Sequence, residues 1–152
     1  MYVRVQSESF DVGAETDAVG AGRADVGAVT TFVGRVRGDN GLKAITLEHY
    51  PGMTELAITD ILADLIVRCR TLDVRVIHRF GRMEVGEGIV FVGVAAAHRQ
   101  EALEAAAFVM DQIKTRVPFW KKEHRPDGDA WVEAKVSDDA AAERWFSRKA
   151  AE

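Results

Sequence analysis

The apolar positions of this chain follow two rhythms, one of period two and one of period 3.6, and their alternation predicts a mixed fold. Residues 2–6 alternate and predict a short first strand. Residues 13–25, rich in Gly and Ala with acidic residues, predict a weak helix or a loop. The β-branched run Ala28-Val-Thr-Thr-Phe-Val-Gly-Arg-Val-Arg37 predicts a longer strand that ends at the turn Gly38-Asp-Asn-Gly41. Residues 44–50 return as its expected hairpin partner. Pro51-Gly52 breaks that strand, and Ile58, Ile61, Leu62, Leu65 and Cys69 then mark a helix over about 54–70.

Residues 74–80 predict a further strand, and a Gly86-Glu-Gly88 turn leads into residues 89–97. That last run is almost continuously apolar, the pattern of a central strand covered on both faces. In the helix that follows, Leu103, Ala107 and Met110 form a stripe whose next position is Lys114. Pro118 stops this helix, because proline lacks the N–H that would continue it. Two extended pieces, 119–125 and 130–136, flank a Pro126-Asp-Gly-Asp129 turn, and a terminal helix starts near Ser137. The expected fold class is α+β: one domain over residues 1–152, with a twisted mixed sheet and helices packed on it.

With 47% hydrophobic and 29% charged residues in 152, the chain has the profile of a globular domain with its own core. The net charge of −4 does not suggest nucleic-acid binding. Yet Lys114, Arg116, Lys121, Lys122 and Arg125 crowd into twelve positions, which suits a confined anionic ligand. The single cysteine, Cys69, excludes an intramolecular disulfide and is expected in the core. No run approaches the roughly 18 apolar residues of a membrane span. The first residues lack the apolar segment of a secretory signal, so the expected compartment is the cytoplasm.

A lysine at the margin of a buried stripe, such as Lys114, can lose hydration and offer a neutral amine. It can equally bury only its stem and keep its ammonium in water. Beyond Pro118, period-two alternation puts Lys121 and Glu123 on one strand face. His98 and Arg99 stand where the apolar strand gives way to a helix, a place whose free N–H groups suit a phosphate, although a solvated loop pair fits as well. Arg35 and Arg37 share a strand face and could grip an anion, or simply guard a sheet edge. The histidines at 49, 78, 98 and 124 show no zinc spacing, and no metal site is expected. The chain has neither a Gly-rich nucleotide loop nor a nucleophile elbow, so its candidate reactive groups are lysines assisted by arginine, histidine and glutamate.

Several strings, in order, resemble the large, catalytic subunit of molybdopterin synthase. They are Thr31-Phe-Val-Gly-Arg-Val-Arg37, Leu47-Glu-His-Tyr-Pro-Gly-Met53, Val76-Ile-His-Arg79, Val90-Phe-Val-Gly-Val94 with Ala97-His-Arg99, and Lys114-Thr-Arg-Val-Pro-Phe-Trp-Lys121. The resemblance implies an α/β-hammerhead type of fold. It also implies conversion of a cyclic pyranopterin monophosphate to molybdopterin by installing two dithiolene sulfurs. The sulfur would arrive as a thiocarboxylate on the C-terminal Gly-Gly of a small ubiquitin-like partner, in a heterotetramer built on a homodimer of the large subunit. On this resemblance Lys114 and Lys121 are the active-site lysines. Arg35, Val36, Arg37, His98, Arg99, Lys122 and Glu123 meet the substrate, and Lys135 is contributed across the dimer. No cofactor is implied, and neither nucleic acid nor membrane is a partner. The alternative is a non-catalytic adaptor that docks the tail of a ubiquitin-like protein, which would need a basic groove but no second lysine.

Overall fold

A computed structural model describes residues 1–133 and 136–147. In chain order it comprises β1 (Tyr2–Gln6), α1 (Val12–Ala18), β2 (Ala28–Arg35), β3 (Ala44–His49), α2 (Met53–Arg68) and β4 (Thr71–Arg79). There follow β5 (Gly81–Glu84), β6 (Gly88–Ala96), α3 (Arg99–Arg116), β7 (Phe119–Arg125), β8 (Gly128–Val132) and α4 (Val136–Ser147). The mixed α+β class is as expected, but the strands form two four-stranded sheets rather than one.

The first sheet has the order β1-β4-β6-β2, with β1 parallel to β4 and the other pairs antiparallel. One of its faces carries Val74, Val76, Val90, Val92 and Val94 against Ile58, Ile61, Leu62 and Leu65 of α2 and Phe108, Val109 and Ile113 of α3. The opposite face carries Ile77, Phe91 and Ala95 under Val19, Phe10 and Val12. Strand β6 is therefore covered on both sides, which is why its sequence reads as an unbroken apolar run. Gly93 belongs to this second face: a Cβ there would meet Val19 at 2.5 Å and Phe91 at 2.9 Å, so only a bare backbone lets the chain after α1 close on the strand.

The second sheet, β5-β3-β7-β8, is antiparallel throughout. Ile45, Leu47 and Met83 of this sheet pack with Val36 and Leu42, which come from the segment joining the two sheets. The expected β2–β3 hairpin does not form: β2 pairs with β6, and β3 pairs with β5 and β7. The link instead crosses between sheets, its backbone held by Val36 N–H to Glu87 O (2.9 Å) and Lys43 N–H to His124 O (2.9 Å). Burial of Val36 and Leu42 outweighs local return of the strand on itself.

Helix α3 also presents a different face from the one its larger apolar residues suggest. Leu103 is exposed, and the buried stripe is Ala102, Ala105, Ala106, Val109 and Ile113. Alanines let the helix axis approach the sheet closely, and α2 and α4 flank it. Cys69 caps the C-terminus of α2 and is only partly buried, with its thiol pushed up from its ordinary value mainly by burial. Among the described residues, no helix is long and apolar enough to cross a membrane.

Candidate active site

Lys114 lies in the last turn of α3, where a cation favours the helix dipole. Val117 ends the helix by donating its N–H to Ile113 O (3.2 Å), and Pro118 turns the chain into β7. Of the two readings of Lys114, the one that keeps its ammonium in water holds: burial falls one and two residues earlier, on Ile113 and Gln112, and Lys114 itself is exposed. Helical spacing explains the shift: the stripe through Ala102, Ala106 and Val109 continues to Ile113.

Past Pro118 the chain enters a joint between the two sheets. The ring of His78, from β4, stacks on Phe119 of β7 with centroids 3.9 Å apart. His49 of β3 lies 4.4 Å from Phe80 and 6.3 Å from Phe119. His49 donates from Nδ1 to Thr54 Oγ1 (3.1 Å), because that hydroxyl spends its own proton on Tyr50 O (3.0 Å). His78 donates from Nδ1 to Arg79 O (2.9 Å). Burial pushes its imidazole down to about 4, with a smaller push in the same direction from Lys114 and His49, so it is neutral near pH 7.

Lys121 and Glu123 share a face of β7 with Phe119, as alternation requires, and sit opposite Leu47 and Ile45. Lys121 Nζ is 3.8 Å from Glu123 Oε1. Glu123 Oε2 is taken by Arg125 (2.7 Å), whose guanidinium also reaches Asp39 O and Asn40 O in the linking segment. Arg37, beyond the end of β2, pairs with Asp39 (2.9 Å). Arg35 and Arg37 are both exposed with Val36 buried between them, so the predicted alternation persists although the ladder slips at Gly34/Arg35. Val36 therefore serves the second core, and only its backbone, bonded to Glu87 and Gly86, is near the surface of the site.

Three expected members stand apart. Lys122 is on the opposite face of β7, over the Trp131 ring at 5.4 Å, because neighbouring strand residues point to opposite sides. His98 caps the N-terminus of α3 and Arg99 opens it, beside an open depression of about 450 Å³ that includes Gly27 and Gln100. Along the helix this end is about 22 Å from Lys114, at 1.5 Å per residue. Lys135 lies outside the described residues. Sequence reasoning missed the His78–Phe119 joint and the bonds of Arg125. The available signal was a His-Arg pair at 78–79, where the strand pattern otherwise demands burial.

Two lysines on either side of Pro118, an arginine-bearing loop and a cationic helix N-terminus give the chain the cationic groups of a protein that meets small anions. The comparisons specify which one. A family model described as MoaE protein matches residues 5–116. The molybdopterin synthase catalytic subunit of Mesorhizobium japonicum is 54% identical over 148 residues, covering 95% of this chain and 93% of that protein. The one from Pseudomonas aeruginosa is 51% identical, covering 95% and 99%. The solved MoaE protein of Burkholderia ambifaria MC40-6 superposes with a TM-score of 0.83 at 46% identity, covering 95% of this chain and 97% of that one. The chain belongs to the MoaE family.

Proposed function

We propose that this chain is the catalytic subunit of a molybdopterin synthase, a cytoplasmic sulfurtransferase with residues 1–152 as one domain. It converts a cyclic pyranopterin monophosphate to molybdopterin with sulfur carried on the C-terminal thiocarboxylate of a ubiquitin-like small subunit. The observation that supports the site assignment is that Pro118 joins Lys114, in the last turn of α3, to the strand that carries Lys121 and the Phe119 ring stacked on His78. Lys114, exposed at the end of α3, receives the partner's tail and assists acyl and proton transfer around its thiocarboxylate. Lys121, paired with Glu123, balances charge that develops on the pterin as each sulfur adds. Arg37 and the His98–Arg99 helix end supply cationic grips for the phosphate.

The 22 Å or so between the two ends of α3 favours a homodimer, since a phosphate at one end would not reach the lysines of its own chain. A second copy can bring its helix end to the lysines of the first. The name "catalytic subunit" borne by the relatives itself implies a second subunit, and a tail ending in Gly-Gly passes a crowded rim easily. The test is incubation of the chain with the pterin precursor and a thiocarboxylated small subunit. Dithiolene product is expected with the native chain and none with Lys121→Ala. Equal product from both, or product without the small subunit, refutes the reading.

A further inference from the structure

Arg125 belongs to the basic cluster visible in the sequence, but its contacts set it apart from a ligand-seeking cation. Its Nε (3.1 Å) and Nη2 (2.7 Å) both donate to Glu123 Oε2. Its Nη1 donates to Asp39 O (3.2 Å) and Asn40 O (2.6 Å). One planar group thus joins a strand carboxylate to a turn that lies far away in sequence. The turn is well defined: Asn40 has φ of 50°, and Leu42 N–H closes on Asp39 O at 3.0 Å. The carboxylate of Asp39 in turn takes Arg37 at 2.9 Å.

Glu123 is thereby divided between two cations. Oε2 is held by Arg125, which leaves Oε1 facing Lys121 Nζ at 3.8 Å. A half-exposed lysine–glutamate contact of that length is too weak to fix both side chains by itself. The guanidinium fork supplies the missing order, since its donors lie in one rigid plane. A lysine in its place could reach the carboxylate but could not also span two carbonyls.

We propose that Arg125 is a positioning residue: it orients Lys121 through Glu123 and pins the 38–43 loop over the lysine strand, so that loop and lysine are ordered together. The proposal rests on the reading of Lys121 as an active-site lysine. Arg37, in the segment that links the sheets, and Lys121, on β7, then keep a fixed relation before any substrate arrives.

The test uses the reconstituted synthase with its thiocarboxylated small subunit and four variants: Arg125→Ala, Arg125→Lys, Glu123→Gln and the Arg125→Ala/Glu123→Gln pair. Arg125→Ala is expected to slow single turnover by roughly tenfold to a hundredfold, the scale set by small misplacements, while the precursor KM changes less than about twofold. Arg125→Lys recovers part of the rate but not the loop, so amide exchange over 38–43 rises in both Arg125 variants and stays low in Glu123→Gln. The double variant is no slower than the slower single one, because the two act through one path. Native turnover in Arg125→Ala, multiplied losses in the double variant, or unchanged exchange over 38–43 overturns the proposal. Lys121→Ala, run in parallel, separates the two readings. If it is inactive while Arg125→Ala is native, only the positioning role falls; if it is active, the lysine assignment falls and takes this proposal with it.

Discussion

His78 offers a pH signature that a solvated histidine would lack. The residue is 6% exposed, its ring stacks on Phe119, and burial pushes its imidazole down to about 4, with Lys114 and His49 adding to the effect. In the unfolded chain a histidine titrates near 6.5. Between these values the unfolded state binds the extra proton, so stability rises with pH across the window and is lost as pH falls from 6.5 toward 4. From these two values, His78 contributes a loss of about 2 kcal/mol between pH 7 and pH 5, and about 3 kcal/mol over the whole window. The perturbation is His78→Phe, which keeps a ring against Phe119 but has nothing to protonate. The assay is urea unfolding of both proteins at pH 7 and pH 5 at one protein concentration, so that any subunit linkage is common to both. The other histidines and the carboxylates are also common, and their effects cancel in the difference. The native protein should lose about 2 kcal/mol more than His78→Phe between the two pH values. Equal losses would refute the claim that His78 is buried and neutral.

Other outcomes follow from the same geometry. Lys114→Ala should abolish product formation yet leave unfolding free energy within about 0.5 kcal/mol, because the side chain is exposed; near-native single turnover would exclude a catalytic role. Arg37→Ala and Arg99→Ala should each weaken precursor binding by about 1.5–3 kcal/mol, read by calorimetry, with little loss for a dephosphorylated pterin. Asp111→Ala removes the carboxylate that accepts from Arg144 (2.6 Å) and Trp145 (2.7 Å). Urea unfolding followed by tryptophan fluorescence should show that substitution to cost about 1.5–3 kcal/mol. Gly93→Ala should destabilise by about 1–3 kcal/mol, because the new methyl meets Val19 and Phe91 inside van der Waals contact.

What the sequence reveals of this fold is what local periodicity encodes. Alternation and the 3.6-residue repeat place β1, β2, β6, α2 and α3 within a few residues, since each element carries a periodic pattern of its own. Pairing is not local, and there the reading fails. Gly38-Asp-Asn-Gly41 has the composition of a hairpin turn, but Val36 and Leu42 are drawn into the second core and carry the chain to another sheet. Strand β5 has only four residues, too few to show a period. The buried face of α3 is mistaken because alanine is a weak hydrophobic signal, so Leu103 and Met110 outweigh Ala102, Ala105 and Ala106 on paper. At the site, residue types disclose the lysines and arginines. The division of labour between Lys121 and Lys122 follows from alternation, whereas Arg125's hold on Asp39 and Asn40 spans more than eighty positions and leaves no local trace.

The exposure of Lys114 changes how its reactivity must be understood. A buried lysine would be tuned before any ligand arrives, at the expense of desolvating an ammonium in the free chain. Here the apolar, neutral surface is prepared by His78, Phe119 and Phe80, while Lys114, at the end of the helix that leads into it, stands in water. On the proposed reading, water leaves only when the partner's tail and the pterin cover this joint, and the fields of both lysines then act in a medium of lower dielectric. A neutral His78 matters to that arrangement, because a third positive charge under Lys114 would repel it from the joint. On that reading the site is assembled in two stages, with the aromatic floor built by folding and the electrostatic work done on assembly. This also explains how a chain with a net charge of −4 serves an anionic substrate: only the residues around one joint need be positive, and only once it is closed.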